Sequence, residues 1–290
     1  MLATQVLDYY RQQSPITDPG THVRLYEDLP HDIAALVRTV QGLIIPPSDA
    51  LLRNHYHIEP AAIDNTRFGL LSIEDLLSRV QRRHNAPLTE TRPPALRIGA
   101  NCRNFAVLLV SMLRHQGIPA RARVGFGSYF AVPYATDHRV AEYWNAERWV
   151  MVDPMIDDVQ RRARNLTFNM LDIGPDDPFL LAGTVWQRCR AGELDPQSFG
   201  DSIDDLGMPP IRYALLHDFA YLNKCEVLGC DDWGDLITKP EADLTGDDLA
   251  LLDQIASLTI NAEKQFDILR TLFEQTAYGQ TVHAELAAIL

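Results

Sequence analysis

Residues 99–117 read GANCRNFAVLLVSMLRHQG and form the stretch that decides the fold. After Asn101 the large apolar side chains recur every three or four residues, at Phe105, Leu108, Leu109, Met112 and Leu113. This period predicts an α-helix, and Gly117 followed by Pro119 predicts where it ends. Asn101 is a good N-cap, so we expect Cys102 in the first turn of the helix.

The predicted position of Cys102 suits a nucleophile. Backbone N–H groups and the positive end of the helix dipole stabilise a thiolate at a helix N-terminus. The same N–H groups can hydrogen-bond an oxyanion. On the cysteine alone, a buried thiol that packs as a small apolar side chain remains the alternative.

A β-hairpin is predicted downstream of this helix. Residues 138–144 and 147–153 are rich in Val, Tyr and Trp, and they flank the polar loop 145–148. Two such runs around a short polar loop are typical of an antiparallel pair of strands. The hairpin begins with a histidine and ends with an aspartate.

The register of this hairpin predicts a His–Asp pair. A two-residue loop would pair Trp144 with Glu147, and a four-residue loop would pair Tyr143 with Arg148. With either loop, directly opposed residues have numbers that add to 291. His138 and Asp153 also add to 291, so we expect them opposite each other on one sheet face, with Cβ atoms about 4.5–5.5 Å apart. An imidazole oriented by a carboxylate is the base that a cysteine nucleophile needs.

Together these segments resemble the transglutaminase-like superfamily, a branch of the papain-like cysteine enzymes, in its bacterial-type core domain. The resemblance covers roughly residues 70–155. It rests on Cys102, on the helix end LRHQGIPAR, on the strand ARVGFG, on His138 with Glu142 four residues later, and on WVMVDP at residues 149–154. The family often has a tryptophan two residues after the histidine, where this chain has Val140.

The resemblance implies a catalytic triad, in which Cys102 is the nucleophile, His138 the base and Asp153 its orienter. It also implies an α+β fold, in which the nucleophile helix packs on a small antiparallel sheet and N- and C-terminal helices wrap this papain-like core. We expect the Cys102 sulfur within about 4 Å of one His138 ring nitrogen and Asp153 hydrogen-bonded to the other. No cofactor and no metal are expected.

Composition indicates a protein without membrane spans. The 290 residues are 46% apolar, with no apolar run of 18 residues, and the N-terminus lacks a basic region and an apolar signal core. We therefore expect a cytoplasmic location. Four cysteines in a chain of this length do not indicate a disulfide framework.

The net charge of −13 is concentrated in one segment. Residues 191–253 hold fifteen Asp and Glu against three Lys and Arg. Such a surface disfavours nucleic-acid and membrane partners. It is either a solvated face or an attractor of cationic substrates, such as an amine donor or a basic peptide.

The remaining pattern predicts helices on both sides of the core. Ser72 begins a capping box and Thr245 is a predicted N-cap. Helices are predicted at residues 1–12, 28–42, 73–83, 178–190 and 210–228, with a final pair over 246–290. We expect three segments packed as one globule: 1–69 mostly helical, 70–175 the catalytic core, and 176–290 acidic and mostly helical.

Four other residues or pairs are candidate sites. His55 and His57, placed on one strand face, would be a metal pair without a third ligand. Arg121 and Arg123 alternate on a predicted strand, where they would either clamp a substrate carboxylate or pair with local carboxylates. Glu142 is placed on the His138 face, where it would orient a neighbouring strand. Cys225 and Cys230 have no second cysteine pair with which to bind zinc.

Two classes of function follow from the sequence. The first is a cysteine-dependent acyltransferase or amide hydrolase (a peptidase or amidase), which would act on a peptide, protein or small amide through a thioester. The second is a non-catalytic protein-interaction domain on the same scaffold. De-N-glycosylation is disfavoured because the paired zinc cysteines common in such relatives are missing.

Overall fold

The computed structural model describes residues 4–65, 70–130 and 132–290. Helices account for 51% of these residues and strands for 13%, which is an α+β composition as predicted. The α-helices are α1 (Thr4–Arg11), α2 (Ile33–Leu43), α3 (Asp49–Leu51), α4 (Ile73–Arg83), α5 (Cys102–His115), α6 (Asp158–Ala163), α7 (Ala182–Arg190), α8 (Met208–Leu222), α9 (Asp235–Thr238), α10 (Gly246–Ile260), α11 (Phe266–Gln275) and α12 (Ala277–Ile289).

The strands are β1 (Ile44–Ile45), β2 (Asp64–Asn65), β3 (Ile98–Gly99), β4 (Ala120–Gly127), β5 (Ala135–Trp144), β6 (Trp149–Val152), β7 (Phe179–Leu181), β8 (Phe199–Ser202) and β9 (Asp205–Leu206). The chain folds as two compact units. Unit 1 comprises Met1–Val6, Arg123–Arg139 and Pro175–Leu290, and unit 2 comprises Leu7–Ala122 and Val140–Gly174. No helix among the described residues has both the length and the apolar character needed to cross a bilayer.

Side-chain caps begin several helices where the sequence predicts them. The Ser72 hydroxyl accepts a hydrogen bond from the Asp75 N–H at the start of α4. Thr245 and Asp248 form a reciprocal capping box at the start of α10. Each cap satisfies backbone N–H groups that the helix itself leaves unpaired.

Four helix predictions are wrong in their bounds. The helix predicted over 210–228 is α8, which ends at Leu222. Helix α2 begins behind the cap Asp32 and not after Asp28, because the Asp32 side chain accepts from the Ala35 N–H. Residues 179–181 form strand β7 before α7, since they pair with β4. The last segment holds α10, α11 and α12 in place of two helices, and Thr276 caps the third.

Unit 2 contains a small parallel sheet that the sequence did not predict. Strand β3 pairs with both β1 and β2, in the order β1-β3-β2. Strand β3 ends at Gly99, and the Ala100 N–H then donates to the Ile45 carbonyl at 2.9 Å. The parallel sheet therefore ends directly before α5, which packs against α2 and α4.

The larger sheet is mixed and not purely antiparallel. In unit 1 the strand order is β7-β4-β5-β8-β9, and β5 runs parallel to β8. In unit 2 the end of β5 pairs with the antiparallel β6. The expectation of a small antiparallel sheet is therefore wrong at β8, a strand more than forty residues beyond the predicted hairpin.

The register of the β5–β6 hairpin also differs from the prediction. Trp144 pairs with Trp149, and the ladder runs from there to Ala141 with Val152, so paired numbers add to 293 and not 291. His138 is therefore not directly opposite Asp153. The loop has four residues because the Asn145 side chain accepts from the Glu147 and Arg148 N–H groups. Within the observed ladder, a shift of two residues leaves every side chain on its predicted sheet face, because side chains alternate with a period of two.

Unit 1 is organised around α8. This helix packs against α7 and α10, and its side chains are buried on nearly every face. Asp218 and His217 are among the fully buried residues of α8. Polar groups at such positions need partners inside the protein, and both find them on the strands described below.

Candidate active site

Cys102 is the first residue of α5, as the sequence predicts. The Asn101 side chain accepts a hydrogen bond from the Asn104 N–H, which makes Asn101 the N-cap. The cysteine is not part of a disulfide bond, and its side chain is partly exposed to solvent. Its thiol therefore lies at the positive end of a 14-residue helix, where a thiolate is electrostatically favoured.

The first turn of α5 is held by buried polar contacts. Arg103 is completely buried and donates to the carbonyl groups of Leu70 and Leu71, at 3.2 and 2.7 Å. The Asn104 side chain donates to the same Leu70 carbonyl at 3.1 Å. These contacts fix the helix start directly after Cys102, which limits the positions that the sulfur can adopt.

His138 lies on β5, packed among aromatic rings of unit 1. It is 1% exposed. The ring centroids of Phe130, Tyr129 and Phe179 lie 4.9, 5.9 and 6.4 Å from the imidazole, each in an edge-to-face arrangement. These rings exclude water from that part of the imidazole surface and restrict its rotation. The sequence analysis missed the three aromatic residues, although a Tyr-Phe pair in the β4–β5 connection was a visible signal.

Asp153 follows β6 and is fully buried. Its Oδ1 accepts from the Met155 N–H at 2.9 Å, and its own N–H donates to the Met170 carbonyl at 2.9 Å. The Gln41 side chain donates to the carbonyl groups of Pro154 and Ile156, both at 3.2 Å. The carboxylate is thus oriented by its own loop, and that loop is tied to α2.

The three candidate residues are distributed over the two units. Cys102 and Asp153 belong to unit 2, and His138 belongs to unit 1. Each occupies a fixed local environment, at a capped helix start, in an aromatic cluster or in a hydrogen-bonded turn. Their joint action as a triad stays a prediction.

A buried polar network lies next to His138 on the same strand. Arg139 forms an ion pair with Asp137 and lies 3.3 Å from His217 Nδ1. The His217 Nε2 lies 2.9 Å from the Asp231 carbonyl, so this ring donates from Nε2 and accepts at Nδ1. Burial raises the pKa of Asp137, and the charge of Arg139 opposes that rise. The network ties β5 to α8 within unit 1.

The two arginines of β4 pair with local carboxylates, which is one of the two roles predicted for them. Arg121 donates to Glu142 at 2.7 Å within unit 2, and its guanidinium lies 4.2 Å from the Trp149 ring centroid. Arg123 binds both oxygens of Asp218 within unit 1, at 2.9 and 2.8 Å. Glu142 thus ties β5 to β4, as expected for a strand-orienting residue.

The prediction that His55 and His57 share a strand face is wrong. His55 lies in a π-helical turn, Leu52–Tyr56, and His57 ends that turn in the left-handed conformation with φ of 56°. Within the described parts of the chain, no group of three or more His, Cys, Asp or Glu side chains is arranged to hold a metal ion.

The other cysteines differ from Cys102 in their surroundings. Cys189 and Cys225 are buried, and Cys230 is exposed. Burial raises the pKa of Cys189, and it raises the pKa of Cys225 to about 12. Neither buried thiol is suited to form a thiolate near neutral pH.

Residues 79–154 match the family model of the transglutaminase-like superfamily. The match confirms the resemblance seen in the sequence and covers just over a quarter of the chain. Cys102, His138 and Asp153 all fall inside it. The superfamily is typically composed of cysteine-dependent catalysts. Searches of curated proteins and of solved structures return no match to this chain.

Proposed function

We propose that this protein is a cysteine-dependent acyltransferase or amide hydrolase, with Cys102 as nucleophile, His138 as base and Asp153 as the group that orients the base. The observation that carries the proposal is the partly exposed Cys102 at the capped start of α5, inside the segment that matches the transglutaminase-like superfamily. A cysteine nucleophile needs a base to accept its proton, and a histidine base needs a carboxylate that fixes its orientation.

The proposed reaction begins when the Cys102 sulfur attacks the carbonyl carbon of a carboxamide or peptide bond. His138 accepts the thiol proton, and the tetrahedral oxyanion is hydrogen-bonded by backbone N–H groups at the start of α5. When the C–N bond breaks, the imidazolium returns this proton to the leaving nitrogen. The products of this half-reaction are a thioester on Cys102 and free ammonia or an amine.

The second half-reaction regenerates the thiol. Water or an amine attacks the thioester carbonyl, His138 takes the proton of the attacking group, and the sulfur leaves and is reprotonated. Hydrolysis yields a carboxylic acid, and transamidation yields a new amide. Both outcomes share every earlier step, so the proposal includes both.

Substitution of the three residues tests the proposal. Incubation with a glutamine-containing peptide, followed by intact-mass spectrometry and an ammonia assay, measures the thioester and the turnover. Cys102→Ala should abolish both, and His138→Ala should lower them by orders of magnitude. Asp153→Asn should leave the thiol in place but reduce turnover strongly, because the imidazole loses its orientation.

A matched cysteine serves as the control. Cys230→Ala removes the exposed thiol and should leave thioester formation and turnover unchanged. The three triad substitutions should be non-additive, since the residues act together in one step. Turnover that survives Cys102→Ala would contradict the proposal and favour the alternative, a protein-interaction domain that needs no ionised thiol.

Hydrolysis and transamidation are then separated by the second substrate. A small primary amine added to the thioester-forming reaction should appear as a new amide if the site favours amines over water. If only the free acid forms at a large excess of amine, the protein is a hydrolase.

A further inference from the structure

A groove of about 520 Å³ lies on unit 1. Its walls are the β4–β5 connection, at Ser128 and Val132–Tyr134, and the segment Pro175–Pro178. Its floor includes Phe126, Leu180 and Phe199. A space of this size is typical of sites that bind a small molecule or a few residues of a peptide.

The floor of the groove is apolar and preformed. Phe126 and Leu180 are direct partners in the β4–β7 ladder, so their side chains share one sheet face. The Phe126 and Phe199 rings meet edge to face with centroids 5.4 Å apart. Apolar side chains of a ligand would be removed from water here without rearrangement of the floor.

The charges that line the groove are all negative. Asp176 and Asp177 are its charged residues, and none of the described lining residues is Lys, Arg or His. Asp176 is exposed and Asp177 is partly exposed. Because the described lining carries two carboxylates and no basic side chain, the groove attracts cations and repels anions.

The acidic character continues from the floor along β8. This strand (Phe199–Ser202) carries Asp201, Asp204 lies in the turn that follows it, and Asp205 begins β9. In the described part of the chain, none of these three exposed carboxylates forms an ion pair with a basic side chain. Between them, Ile203 is 63% exposed. An acidic surface with an apolar side chain thus extends the acidic, apolar groove.

We propose that this groove docks a polypeptide segment in which lysine or arginine accompanies apolar side chains. The apolar floor receives the apolar side chains, and Asp176 and Asp177 receive the cations. The identification of this segment as part of the substrate rests on the proposed acyl-transfer function, whereas its binding to the groove does not. An acidic peptide, a nucleic acid or an anionic lipid would meet repulsion at the same surface.

The β4–β5 connection lines the groove and also packs on His138. Ser128 lines the groove, and the next two residues, Tyr129 and Phe130, pack on the His138 ring. The Ser128 N–H donates to the Pro178 carbonyl at 2.9 Å, which joins the two walls. A docked segment would therefore contact the connection that carries two of the aromatic neighbours of His138.

Peptide binding to the full-length Cys102→Ala chain tests the proposal without catalysis. The probe is a fluorescein-labelled decapeptide of alternating lysine and leucine, followed by fluorescence anisotropy at low ionic strength. It should bind at least tenfold more tightly than the same peptide with glutamate for lysine, or with serine for leucine. Added salt should weaken it, because the carboxylates are exposed.

Substitutions then locate the site. Asp176→Asn combined with Asp177→Asn should weaken binding about five- to tenfold, and the exposed Asp176→Asn alone about two- to threefold. Asp232→Asn combined with Asp243→Asn makes the same charge change at two exposed positions outside the groove and should change binding less than twofold.

Two results would overturn the docking proposal. One is equal weakening by both double variants, which would mean attraction to the overall negative charge only. The other is binding of the glutamate peptide as tight as that of the lysine peptide. If the peptide binds as expected but no thioester forms on the wild-type protein, the acyl-transfer proposal fails and the docking surface stands.

Discussion

Removing the Asp218 carboxylate should strongly destabilise the protein. Asp218 is fully buried on α8, where it accepts two hydrogen bonds from Arg123 and one from the Val124 N–H at 2.8 Å. Arg123 also donates to the Thr259 carbonyl at 3.0 Å. One ion pair thus connects β4 with α8 and α10 inside unit 1.

The expected magnitude follows from this geometry. In Asp218→Ala a guanidinium that is 2% exposed loses its counter-ion, and breaking a buried pair in this way costs about 3–5 kcal/mol. With an unfolding entropy of roughly 2.1 cal/mol/K per residue, a 290-residue chain that unfolds in one transition should lose about 5–8 °C in Tm.

Thermal unfolding followed by circular dichroism measures this shift, and two further variants interpret it. Arg123→Met combined with Asp218→Leu should recover at least half of the loss, because no charge is left buried without a partner. Asp172→Ala breaks the exposed ion pair with Arg148 and should cost about 1 kcal/mol or less. A shift below 2 °C for Asp218→Ala, or a double variant as unstable as the single one, would refute the reasoning.

Two further predictions concern the cysteines. Brief iodoacetamide treatment near pH 7 should label Cys102 before the exposed Cys230 and before Cys189 and Cys225, whose pKa values are raised by burial. Peptide mapping measures the order of labelling, and preferential labelling of another cysteine would count against a reactive Cys102. Burial raises the pKa of Cys225 to about 12 in the folded state, so above about pH 8.5 only the unfolded chain loses this proton and the free energy of unfolding falls as pH rises. In urea titrations, Cys225→Ala should remove about 1 kcal/mol of the stability loss between pH 8 and 9.5. An unchanged dependence of the free energy of unfolding on pH would refute the assignment.

The start of α5 was predictable because its determinants lie close together in the chain. The Asn101 cap acts on Asn104, three residues away, and the apolar period of the helix is visible in fourteen consecutive residues. The caps Ser72 and Thr245 were found in the same way. Such features depend on backbone hydrogen bonds within one turn, so the local sequence decides them.

The register of the β5–β6 hairpin could not be predicted from the local sequence alone. The sequence predicts both strands and the polar loop between them, but the residues that form the loop decide the register. The Asn145 side chain, by accepting two backbone N–H groups, favours the four-residue loop 145–148, and the pairing moves by two residues. Both registers fit the same alternation of side chains, so the pattern alone could not choose between them.

By itself, the sequence determined the α+β composition, the capped helix that begins with Cys102, and the family that residues 79–154 match. Only the tertiary structure decided the parallel sheet before α5, the parallel pairing of β5 with β8, and the partner of Arg123. Arg123 and Asp218 are 95 residues apart, and many carboxylates of this acidic chain could have served in place of Asp218. The choice depends on which buried charges are brought together when the long loops close, and no local pattern of residues contains that information.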